Sequence, residues 1–299
     1  MQTVSIIGIG RIGGALAVAL ESKDYRIENL IFKEQRKKAE IIREILKAKP
    51  RLFKITEADE IKSDIIFICT QDAEITSVAE ILAAKLRHRP FVFHTSGALS
   101  SEILSGLKHN GCPIGSIHPL VSISDALLGA ERFRGAYFCV EGETKAVGVA
   151  ERIVTDLGGN AFSVETNYKT LYHAAAVTAC GHLIALLDAS FEMLKKCGLE
   201  SEQAKRVLLP LVKSTIENLE RQTPSAALTG TFARADAETF ERHVATLIKN
   251  VSPEILEIYL LLGLRSLPLA EKQGAKPENI NKMQNEIQKQ LLLAKKNFK

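Results

Sequence analysis

The side chains in this sequence best suited to moving a proton are His94, His118, Lys169 and His173. His94 opens the run His94-Thr95-Ser96-Gly97 directly after apolar residues 91–93, and His118 follows apolar residues 114–117 as His118-Pro119. An imidazole titrates near neutral pH and serves as acid or base. A lone histidine after a strand is ordinarily a hydrogen-bonded structural residue. Two of them on the edge that also carries a glycine turn leave the structural and functional readings evenly open. Lys169, Tyr172 and His173 are spaced i, i+3 and i+4 and so share one side of a helix. They form either the polar mouth of a crevice or an ordinary first turn in solvent.

Such groups act only if a frame brings them to a ligand, and the sequence supplies one. Gly8-Ile9-Gly10-Arg11-Ile12-Gly13 follows the apolar run 4–7 and opens a helical pattern, the strand–turn–helix order of a dinucleotide site. Gly8 permits the tight turn, Gly10 admits a pyrophosphate to the backbone amides, and Gly13 lets the helix lie close on the sheet. The amides of Gly10, Arg11, Ile12 and Gly13, at the positive end of a helix, are the expected diphosphate contacts, with Gly8 and Ile9 shaping the turn. The apolar run 65–69 likewise ends in polar Thr70-Gln71-Asp72, placing Thr70 and Gln71 beside the same ligand. Lys33 stands where an NAD enzyme places an acid, and Arg36 follows it. Cations there favour a 2′-phosphate, so NADP(H) is expected over NAD, although Glu34 would serve NAD if the strand ran one residue further.

The elements divide at about residue 165. Apolar runs at 4–7, 27–32, 65–69, 91–93, 114–117, 136–140 and 161–164 alternate with helical patterns, which predicts a mainly parallel, doubly wound sheet over residues 1–165. Residues 166–299 read as helices throughout, with glycine and proline between them. The helix starting near Tyr168 is apolar or small almost all round, so burial at the centre of the second domain is expected. Asp236 is a predicted helix N-cap. Arg234 beside it either grips a substrate carboxylate or pairs with Asp236. The stripe Ile280, Met283, Ile287, Leu291 and Leu292 on the last helix covers either its own core or a partner subunit.

With 299 residues, 46% hydrophobic content and a net charge of +4, the chain has material for two cores and no strong electrostatic bias. No basic run interleaves with aromatics, which argues against nucleic acid. No apolar stretch reads as a membrane span of ~20 residues, and no leader is expected before a strand that begins so early. Five cysteines without CxxC spacing read as reduced core thiols of a cytoplasmic protein, and no cluster has metal-ligand spacing.

Taken together, Gly8 to Gly13, His94-Thr95-Ser96-Gly97, His118-Pro119-Leu120, Leu171-Tyr172-His173-Ala174-Ala175-Ala176 and residues 227–236 resemble bacterial reductases that join a Rossmann-like domain to a helical domain of unknown function. That group is similar to ketopantoate reductase, pyrroline-5-carboxylate reductase, prephenate dehydrogenase and the β-hydroxyacid dehydrogenases. The resemblance implies a C-terminal all-α domain of the 6-phosphogluconate dehydrogenase type, a homodimer formed through it, and reduction of a small oxo acid in an interdomain cleft. It makes 2-dehydropantoate (ketopantoate) the leading substrate. Prephenate dehydrogenase-like and pyrroline-5-carboxylate reductase-like chemistry, or a sensor that holds NADP without turnover, are the alternatives. Lys169 or His173 would supply the proton, Ser96 and His94 would bind substrate or orient the carboxamide, and His118 would face them. Tyr172, Thr229 and Arg234 would complete the substrate site. The chain departs from these relatives at His173, where an Asn is expected, and at Gly181, Thr231 and Ala235.

Overall fold

The computed structural model describes residues 1–34 and 36–297. Eight strands form one sheet: β1 (Thr3–Ile7), β2 (Arg26–Phe32), β3 (Arg51–Lys54), β4 (Ile65–Ile68), β5 (Phe91–His94), β6 (Ile114–Leu120), β7 (Tyr137–Gly142) and β8 (Asn160–Phe162). Their order across the sheet is β3-β2-β1-β4-β5-β6-β7-β8. All neighbours are parallel except β6 and β7. The crossover at β1/β4 puts the ends of those strands at the switch point where a doubly wound sheet binds its ligand.

Helices cover both faces, which is why the central strands read as continuous apolar runs. On one face lie α1 (Arg11–Glu21), α2 (Arg36–Ile45) and α6 (Thr144–Asp156), packing Leu16, Ile42 and Ile153 against Val4, Ile6 and Phe67. On the other lie α3 (Asp72–Lys85) and α4 (Ser105–His109), packing Ile75, Leu82 and Leu107 against Ile7, Ile66 and Val92. A short α5 (Ala126–Gly129) joins the first face. Strand β3 has no counterpart among the apolar runs. It is an edge strand with charged ends, and only Phe53 is buried, so alternation is too brief to signal it.

The remaining helices are α7 (Lys169–Ala176), α8 (His182–Lys196), α9 (Ser201–Arg221), α10 (Pro224–Ala227), α11 (Gly230–Ala233), α12 (Ala237–Asn250), α13 (Pro253–Lys272) and α14 (Pro277–Asn297). The chain divides into two compact units between Cys180 and Gly181, later than the 165/166 boundary expected from composition. Helix α7 belongs to the first unit because its polar residues bond to the sheet. The second unit has its own core of Phe240, Val244, Leu260, Leu267, Met283 and Ile287. The α14 stripe therefore covers its own unit, apart from Leu292, which is exposed.

Three expectations are corrected here. The stretch Thr166–Lys196 is not the buried centre of a domain: its most apolar 18-residue window is 0% buried. The second unit closes its core around Phe240 instead, and α8 has a single buried residue, Ala189. By length and composition the same stretch also qualifies as a membrane-crossing helix, with mean hydropathy 1.5, because Val177, Ala179 and Cys180 extend its apolar character through the segment between α7 and α8. Finally, only Cys112 and Cys139 are core thiols with Cys69 half-buried, whereas Cys180 and Cys197 are exposed.

Candidate active site

The glycine loop separates into residues the fold requires and one it does not. Gly8 has φ 90°, a conformation side chains rarely adopt, and a Cβ on it would lie 2.8 Å from the Cys69 carbonyl carbon. A Cβ on Gly13 would lie 2.1 Å from the Gly8 oxygen, so α1 can approach β1 only with glycine there. Gly10 has φ −87° and nothing within 4 Å of where its Cβ would be. The first helical bond of α1 runs from Gly14 N–H to Gly10 O at 2.9 Å, which leaves the amides before it free of the helix ladder.

Beside this loop lies a cleft of 310 Å³, lined by Gly8, Ile9 and Gly10, by Phe32, Lys33 and Glu34 after β2, by Thr70 and Gln71 after β4, and by one face of α3. Such a volume is at the low end of small-molecule sites. The Thr70 hydroxyl is buried and has no hydrogen-bond partner. A buried unpaired hydroxyl costs on the order of 1–3 kcal/mol, so its presence at a cleft wall points to a ligand. Lys33 pairs with Glu74 of α3 at 2.9 Å across this cleft, and the carboxylate holds its ammonium above the usual lysine range. Arg36 turns to Glu40 within its own helix. Arg11 and Ile12 begin α1, and Arg11 also lines a second recess with Lys38 and Ser124.

The proton-handling side chains meet at the ends of β5 and β6. Helix α7 docks on β6 by two contacts. Lys169 Nζ donates to Ser116 Oγ and pairs with Glu141 at 2.9 Å, while the Tyr172 hydroxyl meets His118 Nδ1 at 2.8 Å. The His118 ring stands edge-on to both Tyr172 and His173, with centroids 5.7 and 5.5 Å away. Both imidazoles converge over Gly97, where a Cβ would lie 2.3 Å from His173 Nδ1 and 2.7 Å from His118 Nε2. His173 Nδ1 is buried without a partner. Burial, then the neighbouring His173 and Lys169, push His118 down to about 4, so it is a neutral imidazole at pH 7.

Other expected members of the site occupy supporting places. His94 is fully buried: its Nδ1 accepts from Ser96 N–H at 3.2 Å, and its Nε2 lies 3.2 Å from the Ser100 carbonyl. Burial, aided by Lys169, pushes it down to about 3. The Ser96 hydroxyl donates to Asp72 at 2.8 Å and accepts from the amides of Ala98 and Leu99, so it shapes the turn that carries Gly97. Lys169 is 1% exposed and paired with Glu141; burial lowers its ammonium from the usual lysine range, and the carboxylate opposes that shift. Thr229 and Arg234 lie in the second unit, on either side of α11. Among the described residues no Arg234–Asp236 pair forms: Asp236 instead caps α12 through Thr239 N–H at 3.0 Å, as its position predicts. Ala235, where relatives carry glycine, adopts φ 47°, the left-handed region that favours glycine. Glu141 is the residue the sequence does not single out, and Gly97 stands in it only as the end of the His94-Thr95-Ser96-Gly97 run. Glu141 lies inside a strand and meets Lys169 only through the antiparallel pairing of Ser116 with Glu141, which no local pattern announces.

Residues 1–119 match the model of a Rossmann-like domain, and residues 136–266 match a domain of unknown function, DUF2520. This chain joins a Rossmann-like domain to a DUF2520 domain. No curated protein sequence matches it. Among solved structures, it is similar to a protein of Bacteroides fragilis provisionally assigned as an NADP oxidoreductase, with 21% identity, TM-score 0.73, and coverage of 89% of this chain and 97% of that one. It is similar to protein TM1727 of Thermotoga maritima, with 22% identity, TM-score 0.68, and coverage of 90% and 99%. It also resembles the pyrroline carboxylate reductase of Plasmodium falciparum solved with NADP bound, with 14% identity, TM-score 0.58, and coverage of 91% and 97%. At these identities the likeness shows the fold, a mostly parallel Rossmann-like sheet followed by an all-helical domain.

Proposed function

We propose that the Rossmann–DUF2520 chain is an NADP-dependent oxidoreductase that reduces a small oxo acid, with His118 as its acid–base residue and 2-dehydropantoate as the leading substrate. The observation that carries the cofactor reading is Gly10. Of the three loop glycines it alone meets open space, so its lack of a side chain serves a ligand rather than the fold. The free amides at the start of α1 would hold the diphosphate, Thr70 and Gln71 would meet the bound nucleotide, and Lys33, released from Glu74, would meet a 2′-phosphate. When bound, the nicotinamide supplies or accepts a hydride at carbon.

The histidine cluster does the rest. Tyr172 holds His118 through Nδ1, and Nε2 is left without a protein partner among the described residues. A neutral imidazole so held takes the proton from a substrate hydroxyl as hydride leaves its carbon. In the reducing direction it returns that proton to the oxygen as the carbonyl electron pair moves there. His173, whose Nδ1 is unpaired, is a second polar contact for the same oxygen or for a carboxylate.

The test is NADPH absorbance with a panel of 2-dehydropantoate, other 2-oxo acids, pyrroline-5-carboxylate and, with NADP, prephenate. Turnover with one of them and a 10²–10⁴-fold loss in His118→Asn, with NADPH affinity retained, is the expected result. Tight cofactor binding with no oxidation across the panel would replace this reading with that of a cofactor-holding sensor. The exposed apolar helices of the second unit support a homodimer, and the free thiols at Cys180 and Cys197 suit a reducing, cytoplasmic setting.

A further inference from the structure

The proposed chemistry makes no use of a buried ion pair directly behind it. Lys169 and Glu141 are 1% and 8% exposed and lie 2.9 Å apart. Glu141 is itself fixed by Ser101, whose N–H donates to Oε1 at 2.7 Å and whose hydroxyl donates to Oε2 at 2.8 Å. Taking two charges out of water is costly, and a buried pair is commonly no more stabilising than an apolar replacement. Stability alone is therefore a poor reason for it, whereas fixing a register is a well-attested one.

The geometry supplies that register. Ser116 and His118 are i and i+2 on β6 and face the same way, and Lys169 and Tyr172 are i and i+3 on α7. The contacts Lys169–Ser116 and Tyr172–His118 are thus two rungs of one ladder. Sliding α7 by one residue breaks both. Because β7 runs antiparallel to β6, Glu141 stands opposite Ser116 and pins the first rung from the other side.

We propose that Lys169 is a positioning residue whose ion pair with Glu141 sets α7 on β6, so that Tyr172 meets His118, His173 closes over Gly97, and a fixed positive charge stands behind His118. This rests on the reading of His118 as the acid–base residue. The groups that face His118 are His94 from β5, Cys139 and Glu141 from β7, and Lys169, Tyr172 and His173 from α7, with Asp72 of α3 acting on Lys169. Burial pushes the Cys139 thiol and the Tyr172 phenol up, so both are uncharged near neutral pH. His94 is neutral as well. Burial lowers the Lys169 ammonium and the Glu141 carboxylate opposes that shift, so the ion pair is what keeps Lys169 a cation; after burial and His173, it opposes protonation of His118.

The experiment is histidine-labelled NMR titration of the full chain, reading the His118 imidazole in wild type, Lys169→Met, Lys169→Arg and the uncharged pair Lys169→Met/Glu141→Gln. The wild-type ring is expected to titrate near pH 4. Its midpoint should rise in Lys169→Met, return in Lys169→Arg, and rise in the uncharged pair. The pH profile of kcat/KM should move in the same direction with KM for NADPH unchanged. A His118 midpoint unchanged in folded Lys169→Met overturns the proposal. If that variant fails to fold, an unchanged midpoint in the uncharged pair overturns it equally. Full turnover in His118→Asn would remove the acid–base reading while leaving a shifted midpoint as support for the electrostatic part.

Discussion

At the scale of single residues, glycines report on ligands when the fold does not need them. Gly8 and Gly13 are held by sterics inside the protein, and Gly10 is not. Gly13→Ala should therefore unfold or severely destabilise the chain, since its new carbon would sit 2.1 Å from a backbone oxygen. Gly10→Ala should leave thermal stability within about 1 kcal/mol of wild type yet weaken NADPH binding at least tenfold by calorimetry. Equal NADPH affinity in Gly10→Ala would remove the loop from the cofactor site. The sequence alone assigned Gly8 to the turn, Gly10 to the ligand and Gly13 to helix packing, but it could not show what lies opposite each missing Cβ. For the same reason it could not tell a catalytic histidine from a structural one. His94 and His118 both follow apolar runs, and only the partners of their ring nitrogens distinguish them.

At the scale of elements, the ends of β5 and β6 and the first two turns of α7 form one mechanical unit. His94 ties β5 to the turn that carries Gly97, and it does so only as a neutral ring, accepting at Nδ1. Its affinity for a proton is lower in the folded chain, at about 3, than the usual 6.5. The unfolded chain therefore binds more protons between those values, and stability falls as pH drops from about 6.5 toward 3. His118, held down to about 4, acts in the same direction. Each opposes folding by on the order of 3 kcal/mol at pH 4 relative to pH 7. Denaturant midpoints measured from pH 7 to pH 4 should fall steeply in wild type and less steeply in His94→Gln. Parallel curves for the two proteins would show that His94 is not the titrating group. Most of these elements were legible from apolar periodicity, including Pro277–Asn297 and Ser201–Arg221 at the bounds expected. The edge strand β3 was not, since one buried phenylalanine is no pattern.

At the scale of the whole molecule, the second unit leaves apolar side chains outside: Ile184 on α8, Val207 and Leu211 on α9, and Leu292 on α14 are each more than half exposed. A monomer seldom presents such surface without use. We expect a second copy of the chain to cover it. A bilayer suits the stretch less well, because α8 carries Asp188 and Glu192. Sedimentation without detergent should give twice the 32.8 kDa chain mass, and Ile184→Asp with Leu211→Glu should halve it. A wild-type monomer, or recovery only with membranes, would refute the dimer.

The sequence by itself determined the local code of this protein: a strand, a glycine turn and a helix in the order a dinucleotide needs, alternation giving way to helices, and polar residues closing each apolar run. These are decided by neighbours within a few residues, and composition carries them. Tertiary structure decided which polar residues share a site. Lys169 shares a polar helix face with Tyr172 and His173 in the sequence, and it is ion-paired because Glu141 reaches it from a strand that runs the other way. Charge and burial are set by whatever the chain brings alongside, and no spacing along the sequence records that.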